Sequence, residues 1–112
     1  MMDKINILWI NGDALTAHTM VFMYAVNAKT RGWWKNVDVI IWGPAAKIAA
    51  EDTGIQERIK LAQQAGVNVL ACIACATQLG VVEKLRALNI TVKAMGEPLT
   101  EILKNNEKLI TI

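Results

Sequence analysis

The stretch Val67-Asn68-Val69-Leu70-Ala71-Cys72-Ile73-Ala74-Cys75 decides the fold class of this chain. Its first six residues are almost all apolar, as in a strand that is covered on both faces of a sheet. A helical pattern follows from about residue 75 to residue 88, so Cys72 ends a strand and Cys75 begins a helix. A buried strand that leads directly into a helix is typical of a parallel sheet.

The same alternation of strand and helix extends over the whole chain. The pattern predicts strands at residues 5–10, 37–42, 67–72, 90–95 and 109–112. It predicts helices at 16–29 (ending at Gly32), at 45–51, from a capping box formed by Thr53 and Gln56, at 75–88, and from Pro98 as a first helical residue. In the last helix, Leu99, Ile102 and Leu103 form the expected buried stripe. We therefore predict one α/β domain over residues 1–112, a three-layer α/β/α sandwich around a parallel sheet of about five strands.

Composition limits the classes of function. The 112 residues are 54% hydrophobic and carry a formal net charge of +2. The cationic residues are scattered, which argues against direct nucleic-acid binding. The apolar runs are far shorter than the ~20 residues that cross a bilayer, which argues against a membrane protein. No signal-peptide pattern precedes the first strand, so we expect a cytoplasmic protein with its two cysteines reduced.

The apolar surplus also predicts self-association, because soluble monomers rarely expose large apolar patches. The unbroken apolar run at residues 20–26 places apolar side chains on every side of the first helix. The sheet can cover one side of that helix, and a second protomer is the simplest cover for the other.

Candidate site residues follow from the rule that ligands bind beyond the carboxyl ends of parallel strands. Apart from the cysteines, the residues at or near this edge are Asn11, Gly12, Asp13, His18, Trp42, Gly43, Pro44, Met95, Gly96 and Glu97. Asp13 is more typical of a turn or helix cap than of a catalytic acid. His18 is more typical of a hydrogen-bonded or solvated residue than of a base. Trp42 fits a core or interface position, or the wall of a pocket.

Cys72 and Cys75 are the sharpest chemical feature. Unpaired amide N–H groups at a helix start stabilise a thiolate, so the placement predicts a lowered pKa and favours Cys75 as the more acidic thiol. The spacing allows the two sulfurs to approach, so that a sulfur atom or a disulfide could pass between them. The alternative is that both cysteines are small apolar fillers.

Cofactors and metals are not indicated by the sequence. Two cysteines and one histidine fall short of the four ligands of a structural zinc site. Gly12 stands alone after the first strand, so the dinucleotide-binding and Walker patterns are absent from the sequence.

The segment Cys72-Ile73-Ala74-Cys75-Ala76-Thr77-Gln78-Leu79-Gly80-Val81 resembles the DsrE/DsrF-like family. The opening turn at residues 9–13 and the closing helix and strand at residues 99–112 resemble it in the same order. The resemblance implies an α/β/α fold, assembly into trimers or hexamers, and sulfur transfer in members with the cysteine. In the TusD-like relay members this cysteine, at the position of Cys72, accepts sulfane sulfur as a persulfide and hands it on. Cys75 matches a second cysteine that some members carry.

Three functions follow as hypotheses. The first is a sulfur carrier or sulfurtransferase, with Cys72 as carrier, Cys75 as relay or resolving thiol, and donor and acceptor proteins as partners. The second is a thiol–disulfide redox or sensor protein that uses the same pair. The third is a non-enzymatic oligomeric binding module with inert thiols.

Overall fold

Five parallel strands form the centre of the molecule in a computed structural model that describes residues 3–112. The strands are β1 (Lys4–Trp9), β2 (Asn36–Ile41), β3 (Asn68–Cys72), β4 (Thr91–Lys93) and β5 (Lys108–Thr111). Their order across the sheet is β4-β3-β2-β1-β5, and each neighbouring pair is parallel. The predicted α/β class and parallel sheet are confirmed. β4 is shorter than predicted.

The helices are α1 (Ala14–Thr16), α2 (Phe22–Thr30), α3 (Pro44–Glu51), α4 (Thr53–Gln64), α5 (Ile73–Leu79), α6 (Val82–Ala87) and α7 (Gly96–Lys104). A π-helical turn, Ala17–Val21, joins α1 to α2. The predicted first helix therefore exists as a continuous helical segment. Gly32, with a φ of 70°, follows its end, in the left-handed conformation common after a helix.

The two faces of the sheet are covered unequally. The first three crossovers step in one direction across the sheet, and the crossover from β4 to β5 steps back. Since such connections are right-handed, α7 lies on the face opposite to the other helices. The larger core includes Trp9 and Phe22, whose rings meet edge to face at 5.2 Å. A smaller core forms where α7 packs on the sheet, and Cys72 belongs to it.

The prediction of one helix over residues 75–88 is wrong. Gly80 adopts a φ of 70° and ends α5, its N–H bonding to the carbonyls of Ala76 and Thr77. A left-handed residue cannot continue a right-handed helix, and glycine adopts this conformation without a Cβ clash. A second short helix, α6, then begins at Val82.

Two helix starts also differ from the prediction. Asp52, not Thr53, caps α4, because its carboxylate accepts a hydrogen bond from the Ile55 N–H at 3.0 Å. Pro98 is the third residue of α7 rather than the first, since the helix begins at Gly96.

The buried stripe predicted on α7 is narrower than expected. Ile102 is buried, whereas Leu103 is 58% exposed. One nine-residue helix therefore presents few apolar side chains to its face of the sheet. Within residues 3–112, no helix combines the length and the apolar character needed to cross a membrane.

Candidate functional site

Cys72 is the last residue of β3, and its side chain is only 5% exposed. Side chains alternate between the two faces of a strand, so Cys72 shares the α7 face with Leu70. Both pack in the smaller core with Met95 and Ile102. The thiol of Cys72 is therefore shielded by the sheet on one side and by α7 on the other.

Cys75 lies in a different environment although it follows three residues later. It is the third residue of α5, is half-buried, and faces an open groove of about 350 Å³. The groove runs between α3 and α5, and its other lining residues are Gly43, Pro44, Lys47, Gln78 and Leu79. Lys47 gives this mostly apolar wall a positive charge. Molecules from solvent can therefore approach the Cys75 thiol.

Burial and two neighbouring residues shift the pKa of Cys75. Burial raises the pKa of its thiol, a hydrogen bond with the backbone of Gly43 lowers it, and the adjacent Cys72 thiol raises it again. Burial is the largest of these effects. The prediction that the helix start lowers the pKa of Cys75 is therefore wrong, because the loss of hydration of the thiolate outweighs the hydrogen bond. Cys75 also packs against the smaller core that holds Cys72, so the two cysteines are neighbours.

Gly43 owes its position to an unusual backbone conformation. Its φ of 61° and ψ of −137° place it in a region that residues with a Cβ rarely adopt. This turn ends the extended backbone after β2 and starts α3 directly at Pro44, whose fixed φ suits a first helical residue. The loop after β1 packs against the same turn, since a Cβ built on Gly12 would lie 3.1 Å from the Pro44 Cβ.

Four of the predicted site residues come together. Trp42 and Cys75 are partly buried and pack against the smaller core that holds Cys72 and Met95. They reach one place because β2, β3 and β4 are neighbours and their carboxyl ends meet at the same edge.

Four other predicted residues have separate roles. Asp13 caps α1, accepting hydrogen bonds from the Thr16 N–H at 2.9 Å and the Thr16 hydroxyl at 2.8 Å, and these bonds lower its pKa. Asn11 accepts a bond from the Asp13 N–H at 2.8 Å. His18 accepts a bond at Nδ1 from Arg58 Nε at 3.2 Å. Glu97 is exposed in the first turn of α7.

Comparison with models of known protein families identifies the family of this chain. The model of the DsrE/DsrF-like family matches residues 6–112, nearly the whole chain. The chain belongs to the DsrE/DsrF-like family. This confirms the resemblance predicted from the cysteine segment and the two ends of the chain.

Solved structures support the fold of this DsrE/DsrF-like protein. A conserved protein of unknown function from Bacteroides thetaiotaomicron is 44% identical, with a TM-score of 0.96 over 98% of this chain and 95% of that one. A protein of unknown function from Methanobacterium thermoautotrophicum is 12% identical, with a TM-score of 0.67 over 97% of this chain and 98% of that one. The second likeness concerns the fold alone. The comparison with curated proteins gives no match.

Three groove residues of the DsrE/DsrF-like protein were missed by sequence reasoning, namely Lys47, Gln78 and Leu79. Helical spacing from the edge residues could have identified them. Gln78 and Leu79 follow Cys75 by three and four residues, so they share its side of α5. Lys47 follows Gly43 by four residues and lies one turn into α3. Residues one turn into a helix can therefore line the same edge as the residues that end a strand.

Proposed function

We propose that this DsrE/DsrF-like protein is a sulfur carrier that accepts sulfane sulfur as a cysteine persulfide and passes it on. The observation that supports this most is the pairing of two unlike thiols at the carboxyl edge of the sheet. Cys75 opens on a groove, and Cys72, beside it, is buried under α7. Membership of the DsrE/DsrF-like family supports a role related to sulfur relay.

Uptake of sulfur is a nucleophilic substitution at sulfur. A cysteine thiolate attacks the outer sulfur of a donor persulfide, a new S–S bond forms, and the donor thiolate leaves with the displaced electron pair. The thiolate is the reactive form, and the backbone of Gly43 favours it by offsetting part of the larger rise in the pKa of Cys75 that burial causes. In this proposal Cys72 is the carrier and Cys75 the relay thiol. Donor and acceptor proteins, and a trimeric or hexameric assembly, belong to the same proposal.

Mass spectrometry tests the proposal directly. The reduced protein is incubated with a small persulfide donor, freed of excess reagent and measured without reductant. We expect the wild type to gain the mass of one sulfur atom, and the double variant C72S/C75S to gain none. T77S is the control, because it changes a side chain on α5 close to Cys75 without removing a thiol, and it should gain one sulfur atom as the wild type does. A wild-type protein that gains no sulfur on either cysteine contradicts the proposal.

A redox function is the second candidate, and the packing of Cys75 against the cluster that contains Cys72 favours it. Such a protein would cycle between the dithiol and a Cys72–Cys75 disulfide. Equilibration with glutathione or dithiothreitol buffers would then give one two-electron reduction potential. A disulfide that forms readily in a protein that never retains sulfane sulfur would favour this function over the carrier.

A further inference from the structure

We propose that the two thiols act in a fixed order, with sulfur received on Cys75 and then stored on Cys72 beneath α7. The inference rests on the proposed function. It adds two features to that function, namely a single port where sulfur enters and leaves, and a shielded store at Cys72 where sulfur is held. The groove between α3 and α5 is the port, where Cys75 meets both the donor and the acceptor, so release requires the stored sulfur to return from Cys72 to Cys75 by the reverse transfer.

Access decides which thiol meets the donor. A sulfur transfer requires the attacking sulfur and the donor sulfur to come into contact. Cys75 lines the groove, whereas Cys72 is 5% exposed and packed among apolar side chains. A donor would have to displace part of the α7 layer to touch Cys72, but it meets Cys75 without such a movement.

Proximity of the two cysteines permits the second step. The Cys72 thiolate attacks the outer sulfur of the Cys75 persulfide, the bond between the two sulfurs of that persulfide breaks, and Cys75 leaves as a thiolate. The proton that Cys72 gives up is taken by Cys75. Atoms, charge and electrons balance, so the step needs no oxidant or reductant. Cys75 packs against the buried cluster that contains Cys72, which brings the two cysteines together for this step.

The surroundings of Cys72 suit storage. Its neighbours are Leu70, Met95 and Ile102, with Trp42 packed against the same cluster. This packing keeps solvent thiols from reaching a persulfide on Cys72 and reducing it. A persulfide left on Cys75 lacks that protection, because the groove is open.

A competing reaction between the same two cysteines would lose the sulfur. If Cys72 attacks the inner sulfur of the Cys75 persulfide, the products are a Cys72–Cys75 disulfide and hydrogen sulfide. That reaction is also balanced, but it discards the sulfur instead of storing it. Release of one sulfide per protein, together with an internal disulfide, would therefore overturn the proposal and favour the redox function.

Time-resolved labelling tests the order. The reduced protein is mixed with a small persulfide donor, quenched with iodoacetamide in denaturant at increasing times, and digested with trypsin. Both cysteines fall in one tryptic peptide, residues 61–84, so fragment ions must assign the extra sulfur. We expect the sulfur on Cys75 at the earliest times and on Cys72 later. Sulfur that is first found on Cys72 overturns the order.

Single variants give a second measurement. In C75S, and in C75A as a check on the substitution, Cys72 should load at least about tenfold more slowly than in the wild type. In C72S, Cys75 should load at least as fast as in the wild type, because the neighbouring thiol that raises its pKa is gone, but it should lose its sulfur to added thiol about tenfold faster. If Cys72 loads at the wild-type rate in C75S and C75A, the proposed order is overturned but the carrier function is not. Absence of sulfur on both cysteines of the wild type overturns the carrier function as well.

Discussion

Gly43 and Cys75 line the same groove, and the backbone of Gly43, in the turn that joins β2 to α3, lowers the pKa of the Cys75 thiol by hydrogen bonding. Burial raises that pKa and is the larger effect. The reactivity of Cys75 therefore depends in part on a backbone group, and the position of that group depends on a conformation that favours glycine.

Replacing Gly43 with alanine should make Cys75 less reactive. A Cβ at this position has open space but an unfavourable backbone, so the turn shifts and the hydrogen bond weakens. The pKa of Cys75 then rises further, and its thiolate fraction at neutral pH falls tenfold for each pKa unit, about 1.4 kcal/mol. The measurement is the rate of iodoacetamide alkylation against pH. The rates of G43A and wild type should converge at alkaline pH, where both thiols are ionised.

Gly32→Ala is the control for that experiment. Gly32 also has a positive φ and open space around it, but it follows α2 and is not part of the groove. G32A should lose stability to a similar degree and keep the wild-type pH profile of Cys75. An unchanged profile in G43A would show that the Gly43 hydrogen bond does not affect the thiol.

Lys47 should favour anionic reagents at Cys75, because its charge lies on the groove wall. Iodoacetate carries a negative charge and iodoacetamide is neutral, so the ratio of their rates isolates the electrostatic effect. We expect K47E to lower this ratio by about three- to tenfold at low salt, and added salt to reduce the difference. K60E makes the same charge change on α4, away from the groove, and should leave the ratio unchanged. Equal ratios in K47E and wild type would contradict the prediction.

Asp13 should make the stability of the protein depend on acid pH. Its bonds to Thr16 hold its folded-state pKa below the ordinary value of 3.8, so the ionised cap stabilises the folded protein above that pH. This contribution is lost as the pH falls through the lowered pKa. At neutral pH D13A should melt below wild type, with D13N between them because asparagine also caps helices. The gap between D13A and wild type should shrink in acid. A difference in melting temperature between D13A and wild type that stays the same in acid would contradict the role of ionised Asp13 as a helix cap.

Self-association should depend on an exposed apolar patch formed by Met20, Met23 and Trp33 on and after the first helical segment. These side chains are 41%, 52% and 55% exposed, and the Trp33 ring lies 6.1 Å from that of Tyr24. We expect the wild type to assemble and M23E to shift toward the monomer, as measured by light scattering after gel filtration. L61E introduces the same charge at an exposed leucine on α4, and this variant should assemble normally. A wild type that stays monomeric at high concentration would contradict the prediction.

The sequence predicts the sheet well because its signals are local. The apolar run before Cys72 forms β3, and the glycine after the first helix does follow its end, as the pattern indicates. The break at Gly80 is harder to predict, since the apolar period continues through it into α6. An isolated glycine can be tolerated within a helix, so periodicity alone favours one long helix there.

The environment of the candidate site depends on contacts between distant parts of the chain. The burial of Cys72 depends on α7, some 25–30 residues later, which packs on the other face of the sheet. The pKa of Cys75 depends on a turn some 30 residues earlier. Spacing locates both cysteines at the edge of the sheet, but it cannot show that one is open and the other is shielded.

Competitive alkylation of the two native cysteines is the most direct test of that difference. The folded protein is treated with limiting iodoacetamide, and fragment ions of the peptide at residues 61–84 report the rate at each site. We predict that Cys75 reacts at least about tenfold faster than Cys72, and that the two rates become equal in denaturant. Equal rates in the folded protein, or faster reaction at Cys72, would contradict an open port at Cys75 and a shielded store at Cys72.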